Sequence, residues 1–80
     1  MNLPVKIYAK TGEKVIDVAK AVNISSGGLR LDTTKFYEPD DMLAIKFLIN
    51  SESSNTIPVR VVWSENEDGD YRCGVEFPDN

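Results

Sequence analysis

The sequence contains no histidine and only one cysteine, Cys73, in its 80 residues. Without histidine the usual Ser-His and Cys-His nucleophile pairs cannot form, and zinc sites need clustered cysteine or histidine ligands. The paired carboxylates of Asp40 and Asp41 have no partner for acid–base catalysis. A calcium loop with Gly69 at its sixth position would put Val75 where the bidentate glutamate belongs. We therefore predict that the chain is not an enzyme and holds neither a metal nor a cofactor.

The chain also lacks long apolar runs and an excess of positive charge. No stretch approaches the roughly 20 apolar residues of a membrane-spanning helix, and the amino terminus does not resemble a signal peptide. A single cysteine allows no internal disulfide, which suits a reducing compartment. The formal net charge of −4 argues against a DNA or RNA partner, because such binders normally carry a basic patch. We therefore expect one cytoplasmic domain over residues 1–80, without membrane insertion.

Apolar and polar residues alternate with a period of two along most of the chain, and this alternation predicts β-strands. No segment has a convincing helical pattern, and no internal repeat is present. Because closure of a sheet removes its exposed edges, about six short strands predict an all-β fold, a small six-stranded antiparallel β-barrel. The predicted strands are residues 3–10, 14–22, 29–31, 42–49, 57–63 and 71–78.

The same alternation predicts which side chains share a face of a strand. In the second strand Ile16 and Val18 lie on one face, whereas Asp17, Ala19 and Ala21 lie on the other. The small alanines either allow another strand to approach closely or make this face shallow.

Towards the end of the chain, Val61 and Trp63 fall on one face of the fifth predicted strand. An aromatic residue at this point either belongs to the core or its rim, or stacks on a base. In the last strand Cys73 alternates with Tyr71 and Val75 on an apolar face. We therefore predict that Cys73 is a buried structural thiol.

Three connections between the predicted strands are rich in polar residues. The segment 33–41 is a predicted loop in which Phe36 and Tyr37 cap one end of the core. The segment 50–55 is a predicted flexible hairpin loop and the most mobile part of the chain. The acidic segment 64–70 contains an Asp-Gly pair, which is a strong signal for a β-hairpin.

The segment Asn23–Gly28 interrupts the alternation between the second and third strands. Glycine adopts a positive φ without a steric penalty, so this turn can present backbone N–H groups to an anion. The same composition is typical of a plain polar turn, and the residues alone leave both interpretations open. Arg30 and Arg72 either reach a phosphate or pair with an acidic side chain on a neighbouring strand.

Three motifs, in this order, resemble the PilZ domain family. The resemblance extends from about the second strand to the end of the chain, and the order of the motifs makes it more specific than any one of them. The motifs are Asn-x-Ser-x-x-Gly at Asn23, Ser25 and Gly28, followed by Leu29-Arg30-Leu31; then Val61-Val62-Trp63; and then Gly74-Val75-Glu76-Phe77.

This resemblance implies a six-stranded β-barrel of the split-barrel type that binds cyclic di-GMP, a bacterial second messenger. It implies that Asn23 and Ser25 contact the guanine and nearby polar groups of the ligand. It also implies that Gly28 permits a tight backbone path. The remaining candidate ligand-binding residues, which we assign a neighbouring role, are Ser26, Gly27 and Arg30.

The sequence departs from the family in one motif. PilZ receptors usually carry Arg-x-x-x-Arg just before the first strand, and Lys6 with Lys10 does not reproduce it. Lysine lacks the planar fork with which arginine binds phosphate. Each charge-assisted hydrogen bond contributes roughly 1.5–3 kcal/mol, so losing two weakens binding on the order of 10²- to 10⁴-fold.

Two functions are consistent with these observations. The first is a regulatory domain that binds cyclic di-GMP through the Asn-x-Ser-x-x-Gly turn and relays the signal to a protein partner. The alternative is a degenerate PilZ adaptor that binds no nucleotide and acts through protein–protein interaction. An unrelated small barrel of the SH3 or OB type fits less well, because aromatic residues are few and the net charge is negative.

Overall fold

The computed structural model describes residues 3–9, 14–48 and 56–78, which form six β-strands. Each strand coincides with one of the predicted runs, although the boundaries differ by several residues in places. The predicted loop 50–55 lies outside the described residues. The strands are β1 (Leu3–Tyr8), β2 (Val15–Val22), β3 (Gly28–Thr33), β4 (Met42–Phe47), β5 (Ile57–Glu67) and β6 (Asp70–Glu76).

The six strands close into a barrel with the order β1-β2-β3-β6-β5-β4. Every neighbouring pair is antiparallel, and β1 pairs with β4 to complete the closure. The predicted fold, an all-β six-stranded antiparallel barrel, is therefore confirmed. Within the described residues, no helix is long and apolar enough to cross a membrane.

The core fills the barrel interior with inward-facing side chains from all six strands. In β2 the inward face is the one that carries Ala19 and Ala21, whereas Val18 is 54% exposed. Small side chains suit this position because large ones from other strands, such as Ile7 and Leu31, already occupy the narrow interior. The face of β2 with the larger aliphatic residues is therefore the outer one.

A β-bulge in β5 changes the orientation of Trp63. Val61 pairs with Val75 of β6 and Trp63 pairs with Gly74, so Val62 is an extra residue on β5. One extra residue reverses the alternation beyond it. The prediction that Trp63 shares the face of Val61 is therefore wrong: Val61 is fully buried, whereas Trp63 is 40% exposed on the outside of the barrel.

The hairpin between β5 and β6 is tighter than the sequence predicts. Its turn consists of Asp68 and Gly69, with φ angles of 53° and 87°. Two consecutive positive φ angles match the twist of the flanking strands, which is why Asp-Gly favours this turn. The predicted acidic connection 64–70 is therefore mostly strand, because residues 64–67 pair with β6.

The loop between β3 and β4, residues 34–41, is held to the barrel by a buried carboxylate. Asp17 of β2 accepts hydrogen bonds from the Thr34 hydroxyl at 2.5 Å, the Thr34 N–H at 3.2 Å and the Tyr37 hydroxyl at 3.0 Å. Tyr37 is buried and caps the core as predicted, but Phe36 is 47% exposed and does not. We call residues 34–41 the anchored loop.

Burial also raises the pKa of two side chains near this loop, the phenol of Tyr37 and the thiol of Cys73. Desolvation and then the hydrogen bond to Asp17 raise the pKa of Tyr37 well above its ordinary value. Desolvation also raises the pKa of the Cys73 thiol to about 11. The prediction of a buried structural thiol at Cys73 is therefore confirmed.

Candidate functional site

The turn between β2 and β3, residues 23–28, is closed by hydrogen bonds from one serine. The backbone N–H of Ser25 donates to the Gly28 carbonyl oxygen at 2.9 Å, and the Ser25 hydroxyl donates to the same oxygen at 3.1 Å. Both donors of Ser25 are therefore used inside the turn. The hydroxyl oxygen still has lone pairs with which to accept a hydrogen bond from a ligand. We call residues 23–28 the glycine turn.

The positive φ in the glycine turn belongs to Asn23, at 55°. Asparagine tolerates this left-handed region better than most residues. Neither Gly27 nor Gly28 has a positive φ, so the expectation that the glycines supply this conformation is wrong. The Asn23 side chain is exposed, which leaves its amide accessible.

Gly28 is required for a different reason, which is close packing between β3 and β6. A Cβ atom at this position would lie 2.2 Å from the Val75 carbonyl oxygen. By contrast, a Cβ atom at Gly27 would meet no atom of the described residues within 4 Å. The Gly27 carbonyl accepts a hydrogen bond from the Phe77 N–H at 3.0 Å, which ties the turn to the end of β6.

A groove of about 460 Å³ lies beside the glycine turn on the outside of the barrel. It includes three predicted site residues from the turn and Arg30 of β3. Ser26 and Gly27, although predicted as neighbouring contacts, do not line it. The lining of the groove includes Asn23, Ser25, Gly28, Arg30, Trp63, Arg72 and Gly74.

The indole of Trp63 forms one side of this groove because of the bulge in β5. It packs directly against Gly74, where a Cβ atom would lie 2.0 Å from the indole Nε1. Gly74 therefore leaves the space that the ring occupies. The sequence motif contains both residues, but only the strand register shows that they meet beside the glycine turn.

Arg30 and Arg72 line the same groove, and each is paired with a carboxylate. The Nε atom of Arg30 lies 3.3 Å from Oδ1 of Asp32, two residues along β3. The Nη1 atom of Arg72 lies 3.8 Å from Oε1 of Glu65 on the neighbouring β5. Arg72 therefore contacts an acidic residue on a neighbouring strand, which was one of its two predicted alternatives, whereas Arg30 pairs along its own strand.

A third arginine near the glycine turn serves the fold. Arg60 donates hydrogen bonds to the Glu76 carboxylate at 2.8 and 2.5 Å and to Asp40 at 2.6 Å. The hydrogen bond to Glu76 is the main cause of the raised pKa of Arg60. These contacts connect β5, β6 and the anchored loop, so we do not assign Arg60 to the groove.

The arrangement of the groove suits a ligand that has a planar polar ring and an anionic group. An exposed amide provides a donor and an acceptor side by side, an indole provides a stacking surface, and guanidinium groups bind phosphate oxygens. Among the described residues, no group of three or more His, Cys, Asp or Glu side chains is arranged to hold a metal ion.

A sequence model of the PilZ domain matches residues 1–80, the whole chain. Among curated proteins, no sequence matches this one. The closed six-stranded barrel agrees with the fold that the motif resemblance implied. The chain belongs to the PilZ domain family.

Proposed function

We propose that this domain binds cyclic di-GMP in the groove beside the glycine turn and passes the signal to a protein partner in the bacterial cytoplasm. PilZ domains are regulatory binding domains related to cyclic di-GMP signalling, and this chain is one of them. The observation that carries the proposal is that Asn23, Ser25 and Gly28 share one groove with an indole and two guanidinium groups. The proposal includes no cofactor.

In this proposal a guanine lies against Trp63 and the turn. The Asn23 amide pairs with polar atoms on the guanine edge, and the Ser25 oxygen accepts a hydrogen bond from a neighbouring N–H group. Stacking of a base on an aromatic side chain contributes about 1–3 kcal/mol. The guanidinium groups of Arg30 and Arg72 face the phosphates. Gly28 acts indirectly, by letting the turn sit close to β6.

We expect the affinity of this chain alone to be weak, because residues 1–80 contain no Arg-x-x-x-Arg motif. Lys6 lies on β1, which pairs with β2 and β4 rather than with β3 or β6. Lys10 lies outside the described residues. Since two charge-assisted hydrogen bonds are missing, we expect binding to be on the order of 10²- to 10⁴-fold weaker than with both arginines.

Isothermal calorimetry with cyclic di-GMP tests the proposal when the wild type is compared with Asn23→Gly and Ser25→Ala. Glycine adopts the φ of 55° without strain, so Asn23→Gly removes the amide but keeps the turn. We expect each variant to bind at least about tenfold more weakly, since one hydrogen bond to the ligand is lost. The matched control is Gly27→Ala, which adds a methyl group in open space near the same turn.

Two results would contradict the proposal. One is an absence of heat and of any shift in melting temperature at a ligand concentration near a millimolar. The other is unchanged affinity in both Asn23→Gly and Ser25→Ala, which would mean that the ligand binds elsewhere. A fused segment that supplies Arg-x-x-x-Arg ahead of Leu3 should raise the affinity, because it would restore the missing contacts.

The alternative function is an adaptor that binds no nucleotide and acts through protein–protein interaction. One observation favours it: Val62 and Trp63 are exposed side by side at the bulge, and Ile24 is exposed in the glycine turn. Such apolar side chains also suit contact with another protein. Absence of any response to cyclic di-GMP, together with a folded barrel, would favour this alternative.

A further inference from the structure

Four side chains of alternating charge lie in register across four adjacent strands. Lys20 of β2 pairs with Asp32 of β3, Asp32 pairs with Arg72 of β6, and Arg72 pairs with Glu65 of β5. Directly paired residues point to the same side of a sheet. All four therefore lie on the outside of the barrel, and we call them the charge row.

Arg30 joins the charge row through an ion pair with Asp32, but the two side chains do not form a hydrogen bond. The Arg30 Nε and the Asp32 Oδ1 are both shielded from solvent, and neither has a hydrogen-bond partner among the described residues. Their separation of 3.3 Å exceeds the usual range for an N–H donor, and the contact between Arg72 and Glu65 is longer still at 3.8 Å. Both guanidinium groups are thus paired with carboxylates at distances beyond the usual range of a hydrogen bond.

The two arginines also stand between two grooves. Both line the groove beside the glycine turn, and both line a second groove of about 660 Å³ that extends towards Val18 and Tyr71. An anion bound to these guanidinium groups would therefore lie where the two grooves meet. The two arginines therefore suit a ligand that carries a phosphate between two larger groups, with the phosphate on the arginines and the larger groups in the grooves.

We propose that Arg30 and Arg72 form a phosphate-binding pair. In this proposal Asp32 and Glu65 are internal counterions, which occupy the two guanidinium groups when no phosphate is bound. This inference rests on the proposed function for the identity of the full ligand. A phosphate makes short, bidentate, charge-assisted bonds with guanidinium, whereas the carboxylates make the long contacts described above. The carboxylates also repel an incoming anion, so they lower the affinity of the site and limit binding to ligands with further contacts in a groove.

Inorganic pyrophosphate is the probe, because it has phosphate charge but no base to contact Asn23. Its binding is measured by NMR titration at low ionic strength for the wild type, Asp32→Asn, Glu65→Gln and the double variant. We expect each single variant to bind severalfold more tightly and the double variant at least about tenfold more tightly. Glu65 is exposed, so we expect Glu65→Gln to stay folded. Its pyrophosphate affinity can therefore be measured even if Asp32→Asn does not fold.

The matched control is Asp68→Asn at the tip of the β5–β6 hairpin. It removes one negative charge away from the charge row and keeps a residue that tolerates the φ of 53°. We expect it to change pyrophosphate affinity less than twofold. Adding Arg72→Gln to the double variant should abolish the gain. The inference is overturned if the double variant binds no more tightly than Asp68→Asn, or if the gain persists without Arg72.

A parallel titration with cyclic di-GMP separates the two proposals. If pyrophosphate binding rises in the double variant while cyclic di-GMP does not bind, the phosphate-binding pair stands and the proposed function fails. If cyclic di-GMP binds in an Asn23-dependent way but neither ligand gains from Asp32→Asn and Glu65→Gln, the proposed function stands and the inference fails.

Discussion

The glycine turn and the anchored loop are both short polar connections, yet they use their polar groups in opposite ways. In the anchored loop, Thr34 and Tyr37 donate to the buried Asp17. In the glycine turn, residues 23–27 are exposed, and within the described part of the chain Ser25 bonds only to the backbone of the turn itself. The anchored loop therefore supports the barrel, whereas the turn leaves its amide and a hydroxyl oxygen accessible to a ligand.

Composition alone therefore does not distinguish a turn that leaves its polar groups accessible from one that uses them to hold the fold. Both segments combine hydroxyl groups with acidic or amide side chains. The difference lies in the neighbouring strands: β2 presents a buried carboxylate to the anchored loop, and β5 and β6 present an indole and a guanidinium group to the turn. Variants in the loop should change stability, and variants in the turn should change binding.

The largest effect is expected for Asp17→Ala. This change removes the acceptor for Thr34 and Tyr37 and leaves a buried phenol without a partner. Unsatisfied buried groups cost about 1–3 kcal/mol each, so we expect the free energy of unfolding to fall by about 3 kcal/mol or more. Urea denaturation measures it. A loss below about 1 kcal/mol would show that Asp17 does not anchor the loop.

The next largest effect is expected for Gly28→Ala, with Gly27→Ala as its matched control. The Gly28 methyl group would overlap the Val75 carbonyl, which forces the backbone to move. Overpacking of this kind costs about 1–3 kcal/mol, and we expect the upper part of that range. Gly27→Ala should stay within about 0.5 kcal/mol of the wild type. Equal losses in the two variants would contradict the close approach of β3 to β6.

A smaller effect at neutral pH is expected for Tyr37→Phe. The variant loses one hydrogen bond to a carboxylate, so its free energy of unfolding should fall by about 1.5 kcal/mol. Because folding raises the pKa of Tyr37, the stabilisation from its protonated form is complete below the unfolded pKa of about 10 and is lost as pH rises above it.

The pH dependence therefore provides a second measurement for Tyr37. The wild type should lose up to about 1.4 kcal/mol more per pH unit above pH 10 than Tyr37→Phe does. Cys73, whose pKa is raised to about 11, contributes an alkaline loss in both proteins, starting above the unfolded pKa of about 8.5. Parallel pH profiles for the two proteins would contradict the burial of Tyr37 against Asp17.

The smallest effect is expected for Phe36→Ala in the same loop. Phe36 is half exposed beside the buried Tyr37, so its truncation should change the free energy of unfolding by no more than about 0.5 kcal/mol. Thermal denaturation of Phe36→Ala and Tyr37→Phe compares their losses of stability. A larger loss for Phe36→Ala than for Tyr37→Phe would mean that Phe36 is the residue that caps the core.

The sequence predicted the strands but not every orientation within them. Period-two alternation identified all six strands because each has one buried face. It could not reveal the bulge at Val62, since an extra residue leaves the composition unchanged and reverses only the orientation of the residues after it. It also did not identify Asp17 as an inward residue, because a buried carboxylate depends on donors that arrive from a distant loop.

The candidate site, like the strand orientations, was only partly predictable from the sequence. The residues of the glycine turn were found from their spacing, because they are adjacent in sequence and come together locally. Trp63 and Arg72 reach the groove only through the pairing of β5 with β6 and of β6 with β3. Their presence beside Asn23 is a property of the closed barrel, which no local pattern contains.

The central claim, that the glycine turn is the binding element and the anchored loop is not, is tested most directly by a ¹⁵N NMR titration with cyclic di-GMP. We predict that the largest shifts fall on the amides of Asn23 and Ser25 and on the indole N–H of Trp63, the only tryptophan in the chain. Amides of residues 34–41 should stay nearly unchanged. Shifts centred on residues 34–41, or no shifts at the turn, would contradict it.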